Sequence, residues 1–116
     1  ERADDGDSYR IQFVDGGSVL AEFEDTQQAN VFVEAVNYLV QNYDLVSKLE
    51  PLPYVPGRTR PIIHDRTNVD GKNMKQPREL IDGSYIETNL SSVQKRRELD
   101  RLVESFDFAV ESNSVW

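Results

Sequence analysis

The chain has 116 residues, which is enough for one domain with a hydrophobic core and too few for two. It contains no cysteine, and this excludes disulfide bonds, thiolate metal sites and a thiol nucleophile. No apolar run approaches the length of a membrane span, and no signal-peptide pattern opens the chain. We therefore expect a protein of the cytoplasm.

Charge is distributed unevenly along the chain, whose net charge is −8. Residues 1–50 hold eleven acidic and three basic side chains, whereas residues 51–101 hold ten basic and seven acidic ones. The overall charge argues against a protein that binds nucleic acid over its whole surface. The basic middle still leaves local contact with an anion open.

The first elements predicted are two strands and a turn. Residues 1–8 are polar and acidic without periodicity, and we expect a disordered lead-in there. Apolar and polar residues then alternate from Tyr9 to Phe13, as in a half-buried strand. The glycines after Asp15 favour a hairpin turn, because they tolerate positive φ. The return strand is predicted to place Val19, Ala21 and Phe23 on one face.

A long helix is predicted next. Apolar residues recur at three- and four-residue spacing from Ala29 to Tyr43, and the stripe is wide enough to be covered on two sides. Asp25 and Gln28 have the spacing of a capping pair at its start. The helix is expected to end near residues 42–44, with one further turn through residues 45–49.

The second half of the chain predicts shorter elements. Residues 60–65 favour a strand, residues 66–76 a polar loop, and residues 77–80 a single helical turn. Residues 84–90 favour another strand. Ser91 with Gln94 forms a capping box for a second long helix. A short strand near Phe108 and Val110 precedes a polar tail at residues 113–116.

These elements give the order ββα-ββα-β and predict an α+β fold. We expect one domain over residues 9–112, arranged as a two-layer sandwich. Its sheet would be antiparallel or mixed, with both helices on one face.

The candidate functional site is the junction between the strand over residues 84–90 and the second long helix. Polar side chains gather where the helix begins, and cations follow in its first turns, where the helix dipole disfavours them. We expect an anion site here, closed by basic residues of the preceding loop. Its candidate residues are Asn89, Ser91, Ser92, Lys95, Arg96, Arg66, Lys72 and Lys75. The alternative is an ordinary helix cap beside a solvated basic face.

No catalytic set emerges from the sequence. His64 is the only histidine, and on a strand it would point away from its neighbour Asp65. No spacing typical of metal ligands accompanies it. Glu22 and Glu24 share a strand face, which the exposed side of an edge hairpin explains. We therefore expect no enzyme, no metal and no cofactor.

Two stretches resemble a group of small prokaryotic domains of unknown function. In that group a hairpin of the Phe-x-Asp-Gly type precedes a Tyr-x-x-Thr-x-Ser-Ser-x-x-Lys motif that joins a strand to a helix. Here the hairpin reads Phe13-Val14-Asp15-Gly16, and the strand-to-helix stretch is Tyr85 to Ser92, with Lys95 three residues further on. Leu90 departs from the group, which carries a polar residue at that position. The resemblance implies the α+β layout and the junction, and it implies no activity.

Two functions remain as expectations. The first is a non-catalytic interaction module that self-associates as a homodimer or docks to a protein partner. Its interface would use the helix over residues 29–43 and the exposed hairpin edge. The alternative is an accessory domain for nucleic acid or another polyanion, which would use the loop over residues 58–78 and the helix start Ser91–Arg97.

Overall fold

The computed structural model describes residues 8–49, 54, 61–69, 72–104, 106–113 and 116. Residues 1–7 of the predicted lead-in (1–8) and the basic residues at 58 and 60 lie outside this part. The helices are α1 (Gln28–Tyr43), α2 (Leu45–Lys48) and α3 (Ser92–Val103). The strands are β1 (Tyr9–Asp15), β2 (Ser18–Asp25), β3 (Ile63–His64), β4 (Asn68–Val69), β5 (Lys72–Asn73), β6 (Pro77–Glu79), β7 (Tyr85–Glu87) and β8 (Ala109–Ser112).

These elements confirm the α+β class. The described strands form two sheets of three strands, in the orders β2-β1-β8 and β3-β7-β6, and a two-stranded sheet of β4 and β5. All of the pairings are antiparallel. The second half of the chain therefore has more strands than the predicted ββα-ββα-β order gave it.

Two compact units make up the chain. The hairpin unit consists of the described residues of Glu1–Ala35 and Ser91–Trp116, and the central unit is Val36–Leu90. The first half of α1 therefore belongs to the hairpin unit and its second half to the central unit.

The predicted hairpin is confirmed. Ile11 and Phe13 are fully buried and alternate with more exposed residues of β1. The turn consists of Gly16 and Gly17, with φ of 58° and 90°. Two residues with positive φ are what a type I′ turn requires, and this turn matches the twist of the flanking strands.

A β-bulge changes the face of one predicted core residue. Phe13 pairs with Ala21, whereas Val14 pairs with Val19, so Leu20 is the extra residue in β2. Paired residues lie on the same face of a sheet, which moves Val19 to the face opposite Ala21. Val19 is 53% exposed as a result. The prediction that Val19 shares the face of Ala21 and Phe23 is therefore wrong.

Helix α1 follows the predicted apolar stripe, but its start differs. Val31, Phe32, Ala35, Val36 and Leu39 are fully buried. The predicted capping pair at the start is not formed, because the Asp25 carboxylate accepts the Gln27 N–H at 2.8 Å and the Gln28 side chain bonds elsewhere.

The end of α1 agrees with the prediction. Tyr43 is its last residue, and α2 supplies the expected further turn. Asp44 separates the two helices with a φ of 56°. This left-handed conformation interrupts the helical path, and aspartate adopts it more readily than most residues.

The polar segment after β3 forms strands where a loop and a helical turn were expected. β4 pairs with β5, and Pro77, Arg78 and Glu79 pair with β7. Pro77 begins an edge strand, where its missing N–H costs no ladder bond. The helical turn predicted for residues 77–80 is thus wrong, because pairing with β7 outweighs the local preference. The predicted strand near residues 60–65 is reduced to Ile63–His64.

Helix α3 and strand β8 complete the hairpin unit. Leu99, Leu102 and Val103 of α3 are buried, and β8 pairs with β1. Phe13 and Phe108 pack with ring centroids 5.2 Å apart. Two described residues of the predicted tail also contact the sheet. The Asn113 side chain accepts the N–H of Arg10 at 3.1 Å, and the Trp116 indole N–H donates to the Arg10 carbonyl at 3.0 Å.

Candidate functional site

The start of α3 is built by a capping box. The Ser91 hydroxyl accepts the backbone N–H of Gln94 at 3.1 Å, and the Gln94 side chain accepts the Ser91 N–H at 3.1 Å. Both bonds satisfy backbone donors that have no partner inside the helix. The predicted cap is confirmed, and the Ser91 side chain is engaged in it.

A glutamine from α1 joins two further candidate residues. The Gln28 amide donates to the Ser92 hydroxyl at 2.8 Å, and its carbonyl oxygen accepts from the Lys95 ammonium at 3.0 Å. Lys95 is only 7% exposed. Burial removes water from the ammonium and lowers the pKa of Lys95. Lys95 is therefore an interior cation of the hairpin unit.

Arg96 lies against the edge strand β8. Its guanidinium donates to the Val110 carbonyl at 2.7 Å and to the Ser112 hydroxyl at 3.2 Å. It also pairs with Asp100 one turn along α3. These three contacts use both terminal nitrogens and Nε, so the guanidinium is held in one position. The sequence analysis left this cation facing either solvent or an anion, and the structure fixes it on β8.

An open cleft of about 350 Å³ lies beside this arginine. The residues that line it include Ser92, Arg96, Arg97, Asp100, Ser112 and Trp116. All of them belong to the hairpin unit. Arg97 is exposed and forms no ion pair or hydrogen bond within the described residues. The cleft thus combines a fixed guanidinium with an unengaged one.

The remaining candidate residues belong to the central unit. Arg66 is exposed and pairs with Asp65 at 3.2 Å, and Lys75 is exposed. Asn89 is exposed, and its backbone N–H donates to the Glu87 carboxylate at 2.9 Å. Lys72 lies in β5, and its side chain is outside the described part of the structure. The structure therefore divides the candidate residues between the two units. Ser91, Ser92, Lys95 and Arg96 belong to the hairpin unit, and the other four belong to the central unit.

Glu87 is a buried carboxylate that the sequence analysis did not single out. It is 2% exposed and accepts three backbone N–H groups, those of Lys75 at 2.7 Å and of Gln76 and Asn89 at 2.9 Å each. A carboxylate that accepts several backbone donors compensates for its lost hydration. Glu87 therefore fixes the backbone on both sides of itself and leaves no charge free for a ligand.

His64 differs from its prediction. Its Nδ1 lies 3.2 Å from Asp65 Oδ1. The two atoms do not form a hydrogen bond, and this nitrogen has no hydrogen-bond partner among the residues that the structure describes. The expectation that the two side chains point to opposite faces is wrong, because β3 ends at His64 and the chain bends at Asp65.

The paired glutamates of β2 lie on an exposed face, as expected. Glu22 lies 4.0 Å from the Arg10 guanidinium and accepts from the Gln12 amide at 3.3 Å. Glu24 is exposed on the same face and pairs with Arg10 in the strand register. The two carboxylates therefore give the edge hairpin an acidic surface.

Much of the helix surface expected to form an interface is buried. The apolar residues of α1 listed above are fully buried, so the protein itself already covers the wide stripe. The stripe was correctly identified, but its width reflects burial inside the chain. The exposed hairpin edge is the part of the predicted interface that remains.

The described residues include no group of three or more histidine or acidic side chains that could hold a metal ion. Among them, no helix has both the length and the apolar character needed to cross a membrane.

Comparison of the chain with models of protein families, with curated proteins and with solved structures found no match in any of the three. The functional proposals below therefore rest on the geometry of this chain.

The sequence analysis missed two residues of the α3 region for different reasons. Gln28 carries no local signal, because its partners lie 64 and 67 residues away. Trp116 does carry one, since a large aromatic residue in an otherwise polar tail indicates packing. Arg97 was part of the basic run, and in the structure it differs from Lys95 and Arg96 because it forms no hydrogen bond or ion pair with the described residues.

Proposed function

We propose that this protein is a non-catalytic interaction module that binds an extended, basic segment of a partner protein along strand β2. The observation that carries the proposal is the position of β2 at the edge of the sheet β2-β1-β8. Within the described residues β2 pairs with β1 alone. An edge strand with free backbone groups is a template for strand addition.

The backbone contacts show which groups of β2 face outward. The N–H and carbonyl of Arg10 both bond to Asn113, on the β8 side of β1. The backbone N–H and C=O groups of successive residues in a strand point to alternate sides. Those of Ile11 therefore point to β2 and bond its register partner Phe23. The backbone groups of Glu22 and Glu24 then face away from β1. These are the groups that an added strand would bond.

The charge of this edge selects the chemistry of the partner. Glu22 and Glu24 present their carboxylates on one face of the open edge, and opposite charges stabilise cross-strand pairs. A segment with lysine or arginine at alternate positions would place its cations beside them. Val19 and Leu20, which are 53% and 40% exposed, supply apolar contact at the turn end of β2.

The same charge argues against a second copy as the occupant. Two β2 strands paired antiparallel around Phe23 would set Glu22 against Glu24 at both ends, and like charges directly opposite are destabilising. A homodimer, which the sequence analysis also considered, is therefore the competing outcome of the experiment. The proposal retains the cytoplasmic location expected from the sequence.

The polyanion alternative has less support. Lys95 bonds Gln28 inside the hairpin unit, and Arg96 bonds β8 and Asp100. These two residues were the cations of the predicted helix-start patch. A polymer would need an extended row of available cations, and of this run only Arg97 is unengaged.

The test is an NMR titration of the labelled protein with a short peptide in which lysine and valine alternate. We expect shifts of the β2 amides, centred on Glu22 and Glu24, and a weaker effect at high salt. A peptide with glutamate in place of lysine should produce no shifts. The mass in solution without peptide should be that of a monomer of 13.3 kDa.

Two variants separate the backbone from the charge. Glu24→Pro removes an outward N–H and should abolish binding, while the ladder to β1 is preserved because proline is tolerated on the open side of an edge strand. Glu24→Gln is the matched control and should weaken binding without abolishing it. Binding that persists in Glu24→Pro, or a dimeric mass that Glu24→Pro converts to a monomer, would overturn the proposal.

A further inference from the structure

The cleft beside α3 and β8 has no role in the strand addition proposed above. It encloses about 350 Å³, near the lower end of the range for sites that bind small molecules. We infer that it binds a small phosphomonoester that carries a planar ring, such as a nucleoside monophosphate. This inference does not depend on the proposed function.

Two arginines in different states form the charged wall. Arg97 forms no hydrogen bond or ion pair with another described residue, so its guanidinium can bond an anion without losing one. Arg96 is fixed by Val110, Ser112 and Asp100, and these bonds leave two of the five guanidinium N–H groups without a partner. A fixed and an unengaged guanidinium together suit the fork-like recognition of phosphate oxygens.

The Ser92 hydroxyl adds a neutral donor at the same wall. It accepts a hydrogen bond from the Gln28 amide at 2.8 Å. An acceptor of this kind keeps its own proton available for donation. A phosphate oxygen in the cleft would therefore find a hydroxyl donor besides the two arginines.

Trp116 supplies the aromatic wall, and its position is fixed. The indole N–H donates to the Arg10 carbonyl at 3.0 Å, and its ring meets Tyr9 edge-on with centroids 5.8 Å apart. A fixed indole is a surface on which a planar ring can stack without a large loss of conformational entropy. Stacking of this kind accepts any base, so we infer the class of ligand and not one base.

The charge balance of the cleft favours an anion in a protein that is otherwise acidic. The lining holds two arginines and one acidic side chain, that of Asp100, which Arg96 already neutralises. The protein as a whole has a net charge of −8. A locally positive and partly enclosed site discriminates for a small anion, whereas a long polyanion would also meet the acidic surface.

The experiment uses the fluorescence of Trp116, which is the only tryptophan in the chain. Adenosine 5′-monophosphate should quench it with a saturable dependence on concentration, and the same titration by calorimetry should give the same Kd. Adenosine, which lacks the phosphate, should bind at least about tenfold more weakly. Inorganic phosphate should compete at high concentration.

The matched variants are Arg97→Ala and Lys48→Ala, each of which removes one positive charge. Arg97→Ala should weaken the Kd for adenosine 5′-monophosphate about tenfold, and Lys48→Ala, far from the cleft residues in sequence and exposed, should leave it unchanged. Arg97 has no hydrogen-bond or ion-pair partner within the described part of the chain, so the variant should keep the thermal stability of the original protein.

Three results would overturn the inference. The first is an absence of saturable quenching up to about 10 mM nucleotide. The second is an equal affinity for adenosine and its monophosphate, which would show that the phosphate is not recognised. The third is an unchanged Kd in Arg97→Ala. The peptide titration of β2 is independent of all three, so failure of one proposal is distinguishable from failure of the other.

Discussion

Two buried charged side chains, one in each unit, are accommodated in different ways. Glu87 in the central unit is 2% exposed and is held by three backbone N–H groups. Lys95 in the hairpin unit is 7% exposed and donates to the side chain of Gln28. A backbone donor is lost only on substitution by proline, whereas a side-chain acceptor is lost on most substitutions. The hydrogen bond between Lys95 and Gln28 can therefore be removed by one substitution in α1, whereas the three bonds of Glu87 to the backbone cannot be removed in this way from the donor side.

The largest effect should follow from removal of the carboxylate. Glu87→Ala leaves the N–H groups of Lys75, Gln76 and Asn89 without their acceptor, and we expect the free energy of unfolding to fall by about 3 kcal/mol. Urea denaturation measures this change. Glu79→Ala, an exposed carboxylate on β6, is the control and should change the free energy by less than about 0.5 kcal/mol. Equal effects of the two substitutions would contradict the role given to Glu87.

A smaller loss should follow when the acceptor of Lys95 is removed. Gln28→Ala takes one partner each from Lys95 and Ser92 and should lower the free energy of unfolding by about 2 kcal/mol. Gln41→Ala, at an exposed position of the same helix, should be close to neutral. If Gln28→Ala also leaves the free energy of unfolding unchanged, the hydrogen bond from Gln28 does not stabilise the buried ammonium.

The smallest effect concerns pH. Burial lowers the pKa of Lys95 below 10.5, so in the folded protein its proton is lost at lower pH than in the unfolded chain. Between the two pKa values unfolding takes up a proton, and the contribution of Lys95 to the free energy of unfolding therefore rises with pH. Lys95→Met should lack this rise. Urea titrations of both proteins, from neutral pH to about pH 10.5, measure the difference.

A second group titrates in the same pH range, and its contribution to the free energy of unfolding changes with pH in the opposite direction. Burial, with Tyr43 nearby, raises the pKa of Tyr38, which lowers stability at high pH. Tyr38 is present in both proteins, so its contribution cancels in their difference. If the free energies of unfolding of the original protein and Lys95→Met change with pH in parallel, the prediction is contradicted.

Local rules predicted the features whose partners are close in sequence. The glycine turn after Asp15, the capping box of Ser91 and Gln94, and the apolar stripe of α1 are all set by residues within a few positions of each other. Turn chemistry and capping act over that range, so the sequence sufficed for them. The class of fold followed from the order of these elements.

Features set by distant partners were predicted poorly. The extra residue Leu20 in β2 is visible only in the register with β1. Pro77 resembles a helix start until β7 pairs with it. The contacts of Lys95 and Arg96 with Gln28 and β8 are equally distant in sequence. Helical spacing does place Lys95 and Arg96, four and three residues before Leu99, on the apolar face of α3, but it does not identify their partners.

The carboxylate of Glu87 connects backbone amides at positions 75, 76 and 89. A local unfolding that breaks one of these hydrogen bonds would also weaken the bonds of the carboxylate to the other two amides. In deuterated water their protons should therefore exchange as a group, with a common opening free energy, although thirteen positions separate the second from the third. One side chain would thus make two separate loops behave as a single kinetic unit.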